Sequence, residues 1–440
     1  MKRLYTILLS AALPLAAFGQ APGGPWTLED CVRYALEHNI SVKQSDLQVK
    51  RREIELNTAR NSRLPQASGS AGENFSFGRG LTADNTYANK NTSSTSFSLG
   101  ASVPVFQGMR IRNDIEQGKL NLSAATEDLE KAKDDVRVAV AQAYTQILYN
   151  MEILDVALKQ VSIDSAQVER LAAMLREGKA SKAVLAQQEA TLGQSRLSAT
   201  QASNNLNLAR LDLSQLLELP SPEGFDIVRP MTPIDGILLE NPENIYAEAI
   251  RTRPAVRAEE FRLDATEWTI KNAKSAYLPT LSASGGIGTN YYTMSGVTQD
   301  SFAEQMKRNF SQYVGISLNV PIFSAFQTRN QIRGAKLNRI SQELQLENVK
   351  KSLYKEIQQA YYGAVAAREK FKASEMASVS AEESYKLMTA KYENGSANIT
   401  EFNESRDSYL KSRSDLAQAR YEYLFQARLL DFYKSGEISL

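Results

Sequence analysis

The sequence has very little of the residues on which most metal and thiol chemistry depends. Its 440 residues include one cysteine, Cys31, and one histidine, His38. An internal disulfide needs two cysteines, and a zinc cluster or a Cys/His catalytic pair needs partners that these two residues lack. We therefore expect no disulfide framework, no metal, no cofactor and no enzymatic activity of these kinds.

The sequence also lacks an excess of charge of one sign. It has 51 Lys and Arg against 50 Asp and Glu, which gives a net charge of +1. Because nucleic-acid binding depends on a basic field, we expect no nucleic-acid partner. Glycine and proline are scarce as well, at 23 and 13 residues. Their scarcity excludes a collagen-like or broadly disordered chain.

Long apolar runs are confined to the N-terminus. Lys2 and Arg3 precede an apolar stretch over residues 4–18, and Ala-Phe-Gly at 17–19 matches a small-x-small cleavage site. This pattern predicts a secretory signal peptide at residues 1–19. No other stretch contains eighteen consecutive apolar residues, so the sequence predicts no membrane-spanning helix after it.

The rest of the chain contains two copies of one pattern. Val-Pro-Val-Phe at 103–106 recurs as Val-Pro-Ile-Phe at 320–323, and Gly178 recurs as Gly395, always 217 residues later. A segment with four prolines, at 218–241, lies between the copies and has the composition of a linker. The predicted parts are a first repeat at 20–217, a linker at 218–242, a second repeat at 243–434 and a C-terminal tail at 435–440.

Each repeat also has a heptad pattern of apolar residues, which is typical of helices packed side by side. Proline is absent from 109–177 and from 326–394, so each stretch predicts a helix about 100 Å long. Gly178 and Gly395 end these helices, and a second helix runs back after each. The sequence thus predicts long helical hairpins at about 108–217 and about 325–434.

Before each hairpin the apolar period changes to two, with Ser, Gly and Asn at the alternate positions. This alternation is typical of transmembrane barrel strands, although a small soluble antiparallel sheet is an alternative. Strands are predicted at about 67–78, 95–106, 280–293 and 310–323. The residues predicted to face lipid are Phe97, Leu99, Val103, Val105, Val314, Ile316, Leu318 and Val320.

Four strands cannot close a membrane barrel, because such barrels begin at about eight strands. Open strand edges are not tolerated in lipid, so the barrel has to be shared between chains. Two chains would supply about eight strands and a filled lumen, and three would supply about twelve with room for water. The small polar face of the strands favours the wider barrel.

The predicted signal peptide, the duplicated helix-strand-strand-helix-helix order, the Val-Pro-x-Phe strand ends and the Gly turns resemble the outer membrane factor family, the TolC-like outer membrane efflux proteins. The resemblance extends over essentially the whole chain after residue 19. It implies a mainly α fold with a β membrane part, in which duplicated long α-helical hairpins form a trimeric tunnel. Four strands per chain would contribute to a shared twelve-stranded outer-membrane β-barrel.

The resemblance also implies a location and partners. The protein would be a homotrimer in outer-membrane lipid with a helical extension into the periplasm. It would be the channel of a tripartite efflux or type I secretion system, which passively conducts substrates to the exterior. Its partners would be a periplasmic adaptor (membrane fusion) protein and, through the adaptor, an inner-membrane transporter.

Site residues follow from the same resemblance. The implied adaptor-docking tips are Gly178, Lys179, Ala180, Ser181, Gly395, Ser396, Ala397 and Asn398. Glu401 and Glu404 stand where the family has a periplasmic gate of acidic residues, and their spacing places both carboxylates on one helix face. Alternatively, both lie in the first turns of a helix, where acidic side chains interact favourably with the helix dipole.

A soluble periplasmic coiled-coil adaptor is the alternative function. It would use the helical hairpins, but it has no need for strands with an apolar face. An enzyme ranks third, because the sequence offers no candidate pair of nucleophile and base.

Overall fold

The structure of the protein, a computed structural model, describes residues 24–81, 85–230 and 239–438. The predicted signal peptide at 1–19 and part of the predicted linker lie outside these residues. The elements in chain order are α1 Leu28–His38, α2 Ile40–Asn61, β1 Gln66–Leu81, β2 Tyr87–Gln107, α3 Arg110–Arg176, α4 Lys182–Leu216, α5 Pro242–Thr252, α6 Pro254–Ser275, β3 Thr280–Met294, α7 Phe302–Arg308, β4 Ser311–Asn319, α8 Gln327–Glu393 and α9 Ile399–Ser435.

The two longest helices have the same length and the same place in each half of the sequence. α3 and α8 each contain 67 residues, and both ends of α8 lie 217 residues after those of α3. The helices that follow them, α4 and α9, also begin 217 residues apart. Among the described helices, none has a stretch apolar and long enough to cross a membrane.

The four strands form one antiparallel sheet in the order β1-β2-β3-β4. β1 pairs with β2 along its whole length, from Gln66 opposite Ser102 to Leu81 opposite Tyr87. β4 is shorter, and its pairing with β3 ends at Ser311. Within the described residues, the outer edges of β1 and β4 have no strand partner.

The strands differ from the sequence prediction at several ends and at one bulge. β2 begins at Tyr87 rather than near 95, because its pairing with β1 continues outward. β4 ends at Asn319, before Pro321, which has no backbone N–H to donate; Val320 therefore lies just past the strand. A bulge between Pro104 and Phe106 shifts the register, so Phe106 lies opposite Leu281 and Val105 lies opposite no residue of β3.

The described residues divide into two compact units that do not follow the two sequence repeats. One unit contains the residues up to Ile40, Asp134–Asn241 and the residues from Gln359 onward. The other contains Ser41–Lys133 and Pro242–Gln358. Each unit therefore combines parts of both repeats.

The first unit has a core of aliphatic and aromatic side chains. Ile147 and Leu213 are fully buried, and Trp26 packs edge-on against Phe225 with ring centroids 5.7 Å apart. The Tyr144 hydroxyl donates to the Val228 carbonyl at 2.6 Å, which satisfies a polar group in this core. Burial raises the pKa of Tyr144.

The second unit contains the sheet and a helix, α6, that contacts both α3 and α8. Arg257 of α6 pairs with Glu127 of α3 at 2.9 Å. On the α8 side, Arg339 pairs with Glu267 of α6 at 2.5 Å. Polar contacts thus connect α6 to a long helix from each repeat.

Candidate functional site

The sheet has one apolar face, which follows from its register. Residues directly opposite each other in antiparallel strands lie on the same face. Leu99 lies opposite both Gly69 and Ile287, and Ala283 lies opposite both Val103 and Ile316. The larger apolar side chains of this face are Phe97, Leu99, Val103, Ile287, Val314, Ile316 and Leu318; the same register also places the polar side chains of Glu73, Thr95 and Gln312 on it.

The apolar face is open in a single chain. Val314 is 92% exposed and Ile316 is 76% exposed. A set of large apolar side chains uncovered over several strands marks a surface for lipid or for another protein. The predicted lipid-facing residues Val105 and Val320 are also exposed, at the bulge of β2 and past the end of β4.

The opposite face of the sheet is small and polar. Ser98 lies opposite Ser70 and Gly288, and the hydroxyls of Ser70 and Ser98 are 2.8 Å apart. Gly286 lies opposite Gly100 and Tyr313. A face of serine, glycine and tyrosine is suited to contact with water.

A glutamine side chain takes the place of a strand where β4 is too short to pair with β3. The Gln305 amide of α7 accepts from the Tyr292 backbone N–H at 2.9 Å and donates to the Tyr292 carbonyl at 3.0 Å. Asn309 donates to the Asn290 carbonyl at 2.7 Å. These bonds satisfy backbone groups that would otherwise form an unpaired edge of β3.

The two predicted tips have the same backbone geometry. Gly178 and Gly395 both have φ of +72°, a conformation that glycine adopts without strain. After Gly178, the N–H of Lys179 donates to the Met174 carbonyl at 2.8 Å. After Gly395, the N–H of Ser396 makes the equivalent 2.8 Å bond, so both long helices end in a Schellman motif.

The following helices begin differently. The Ser181 hydroxyl accepts from the Val184 N–H at 3.3 Å. Asn398 instead accepts from the N–H groups of Thr400 and Glu401 at 2.9 and 3.0 Å. Ala180 and Ala397 are half-buried, whereas Lys179, Ser181, Ser396 and Asn398 are exposed. The tips thus present small and polar side chains that a partner could contact.

The two predicted gate residues have different surroundings. The Glu401 carboxylate accepts from the Asn398 N–H at 2.9 Å and completes a capping box at the start of α9. Glu404 lies one turn further along the same helix, and its side chain is exposed. Glu401 therefore lies in the first turn of α9, as the alternative to the gate predicted, and the side chains of both glutamates are exposed.

A buried ion pair lies close to these residues, and sequence reasoning missed it. Arg406 is 1% exposed and its guanidinium donates to the carboxylate of Asp164, which is fully buried. Asp164 also accepts from Gln188 at 3.3 Å and from the Ser195 hydroxyl. A second carboxylate, Asp407, accepts from Arg406 at 2.8 Å.

A signal for this cluster was present in the sequence. Each residue of the cluster follows an apolar residue of the heptad pattern by three positions, where a second apolar residue is expected. Asp164 follows Val161, Gln188 follows Leu185 and Ser195 follows Leu192. Polar residues at such positions indicate a buried polar network.

Aromatic side chains stack within the second hairpin, and one of them also contacts the first hairpin. Tyr385 stacks on Tyr409 with ring centroids 5.3 Å apart, and Tyr392 stacks on Phe402 at 4.9 Å. Arg170 of α3 lies 5.0 Å from the centre of the Tyr392 ring. The stacked pairs add specificity to the packing of α8 on α9, and the cation–π contact adds specificity to the packing of α3 on the second hairpin.

Comparison with known proteins identifies the family. Residues 32–218 and 245–432 match the family described as Outer membrane efflux protein. The chain belongs to this family.

Relatives of this outer membrane efflux protein match over most of their length. TolC of Escherichia coli strain K12 is 24% identical over 96% of this chain and 84% of TolC. The outer membrane efflux protein BepC of Brucella suis biovar 1 is 23% identical over 78% of this chain and 70% of BepC. Among solved structures, CusC has a TM-score of 0.76 at 18% identity and covers 96% of both chains. The outer membrane protein VceC of Vibrio cholerae has a TM-score of 0.73 at 16% identity, over 92% of this chain and 95% of VceC.

These matches confirm the resemblance, the fold class and the outer-membrane location that the sequence implied. The family is defined by efflux through the outer membrane and not by a catalysed reaction. The match gives no support to the alternative of a soluble periplasmic adaptor.

Proposed function

We propose that three copies of this efflux protein close a twelve-stranded barrel in the outer membrane and conduct substrates delivered from the inner membrane. The observation that carries the proposal is the four-stranded sheet with one mainly apolar face, one small polar face and two edges that have no strand partner among the described residues. In lipid, such edges have to be paired, and pairing β4 of one copy with β1 of the next does so. Three copies place the apolar face towards lipid and the polar face towards a wet lumen.

The tips are proposed to dock a periplasmic adaptor, through which an inner-membrane transporter supplies the substrate and the energy. Two Schellman turns with the same φ of +72° give both tips the same backbone geometry, which a partner with repeated contacts could recognise. The docking residues are Gly178, Lys179, Ala180, Ser181, Gly395, Ser396, Ala397 and Asn398.

Conductance in planar bilayers tests the channel. We expect stepwise ionic currents after the detergent-extracted protein is added. A protein that yields no current, although it is folded and present in the outer membrane of its cells, would contradict the proposal.

Two matched glutamine variants test the proposed gate. Glu404→Gln removes an exposed carboxylate, so we expect weaker cation preference and altered single-channel conductance if Glu404 belongs to an acidic ring. Glu401→Gln is the control for helix capping, because glutamine also serves at the third position of a capping box. If both variants, alone and combined, conduct like the unmodified channel, neither residue forms a gate.

A further inference from the structure

A groove lies in the second unit, where α2 leads into β1 and β2 leads into α3. α2 ends at Asn61 and β1 begins at Gln66, while β2 ends at Gln107 and α3 begins at Arg110. Residues of both junctions line the groove, which has a volume of about 850 Å³. This volume lies within the range of small-molecule sites, about 300–1,000 Å³. The groove is therefore large enough for a ligand, and it lies at the end of the sheet from which the helices run.

The lining of the groove is basic. Its charged side chains are Arg60, Arg63, Arg112, Lys119 and Glu116. The single carboxylate among them, that of Glu116, is already paired with Lys119 at 2.8 Å. All three arginines are exposed, and within the described residues none of them forms an ion pair. Three positive charges thus lie around the groove without a carboxylate to balance them.

Helix stability does not explain the position of Arg112. This residue lies in the first turn of α3, next to which no acidic side chain is present in the same turn. The helix dipole disfavours a positive side chain at this end of a helix. The charge of Arg112 therefore points to a partner outside α3.

Apolar side chains of the groove continue the apolar face of the sheet. Phe106 lies opposite Leu281, which in turn lies opposite Leu318 of that face. Val105, at the bulge of β2, and Leu64, just before β1, also line the groove and are exposed. The groove thus combines an apolar surface with three unpaired positive charges, which is the chemistry that recognises an anionic lipid.

We propose that this groove binds an anionic phospholipid of the periplasmic leaflet, with its phosphate among the three arginines and its acyl chains on Val105 and Phe106. Arginine suits this role, because its planar guanidinium binds phosphate oxygens in pairs. The inference rests on the proposed function, because the sheet has to span the membrane for its helix end to lie among the headgroups. The helices of this outer-membrane family extend into the periplasm, so this end of the sheet faces the periplasmic leaflet.

Lipid retention measured by native mass spectrometry tests the inference. The detergent-extracted, delipidated protein is titrated with phosphatidylglycerol or with phosphatidylcholine of the same acyl chains. We expect one phosphatidylglycerol to be retained per chain and phosphatidylcholine to be retained about tenfold more weakly, because choline balances the phosphate charge. Equal retention of the two lipids would overturn the inference.

Two single variants separate the groove from general attraction to a charged surface. Arg110 and Arg112 lie in the same turn of α3, but Arg110 does not line the groove. We expect Arg112→Gln to weaken phosphatidylglycerol retention about tenfold and Arg110→Gln to leave it unchanged. If the two variants weaken retention equally, the attraction is general and the inference is wrong.

Two triple variants guard against a misfolded protein. Arg60→Gln/Arg63→Gln/Arg112→Gln should lose the preference for phosphatidylglycerol with unchanged helix content by circular dichroism. Arg60→Lys/Arg63→Lys/Arg112→Lys should keep part of the preference, because lysine keeps the charge but not the paired hydrogen bonds. A folded glutamine variant that still prefers phosphatidylglycerol would overturn the inference.

Failure of the inference and failure of the proposed function give different results. If the protein is a conducting trimer that retains both lipids equally, the inference is wrong and the proposed function stands. If the protein forms no trimer, the proposed function is wrong. Retention of phosphatidylglycerol per chain then still decides whether the groove binds lipid, because all of its lining residues belong to one chain.

Discussion

Arg406 is the largest fully buried side chain of the described residues, and its charge is balanced by the carboxylates of Asp164 and Asp407. Removing one member of a buried pair leaves the other charge in a poorly solvating interior, at a cost of about 3–5 kcal/mol. For Arg406→Ala we expect α9 to open locally, with faster hydrogen exchange over the helical turns around the substituted residue. The matched apolar replacement Asp164→Leu/Arg406→Met should restore most of the protection of these amides against hydrogen exchange. Equal exchange in the single variant and the unmodified protein would contradict this role.

Gly178 adopts φ of +72°, and a Cβ added there would meet no atom within 4 Å. The cost of Gly178→Ala is therefore conformational alone, about 1–2 kcal/mol for an L-residue in the left-handed region. We expect thermal unfolding at a lower temperature with unchanged helix content by circular dichroism. Gly178→Asn should be milder, because asparagine tolerates this conformation better. A loss of helix in the alanine variant would show that the turn depends on more than its φ.

Residue-level contacts were the least predictable part of the protein. Asp164 and Arg406 lie 242 residues apart, so no local pattern could pair them. Glu401 was predicted as a gate residue from the resemblance and, alternatively, as a residue of the first helical turn, which is a local signal; the structure adds the bond from the Asn398 N–H to its carboxylate. The gate itself depends on several chains and stays a prediction.

At the scale of elements, Gln305 substitutes for a missing part of β4. Gln305→Ala would leave the N–H and carbonyl of Tyr292 without these partners. We expect faster amide exchange at Tyr292 and little change at Ser284, whose neighbours on β2 and β4 remain. Gln299→Ala is the control, because its bond to the Met294 carbonyl is a longer 3.4 Å. Unchanged exchange at Tyr292 would mean that the glutamine does not protect this edge.

The helices were more predictable than the strand ends. The heptads and the Gly turns are local signals, and α3 and α8 begin and end close to the proline-free stretches 109–177 and 326–394 that predicted them. The strand ends depend on partners far along the chain: β2 extends to Tyr87 because β1 pairs with it there, and the bulge at Pro104 moves Val105 out of simple alternation. Periodicity alone could not reveal either feature.

At the scale of the whole molecule, the duplication explains how a chain with four strands can serve a large channel. Each repeat provides a pair of strands and a long hairpin. In the proposed trimer, the open edges of the sheet pair between copies.

Electron microscopy of the detergent-extracted protein tests this account most directly. The account predicts particles with three-fold symmetry and a detergent belt around the strands, since three four-stranded sheets close the barrel. Monomers without a detergent belt, or a protein recovered entirely from the soluble periplasm, would contradict it.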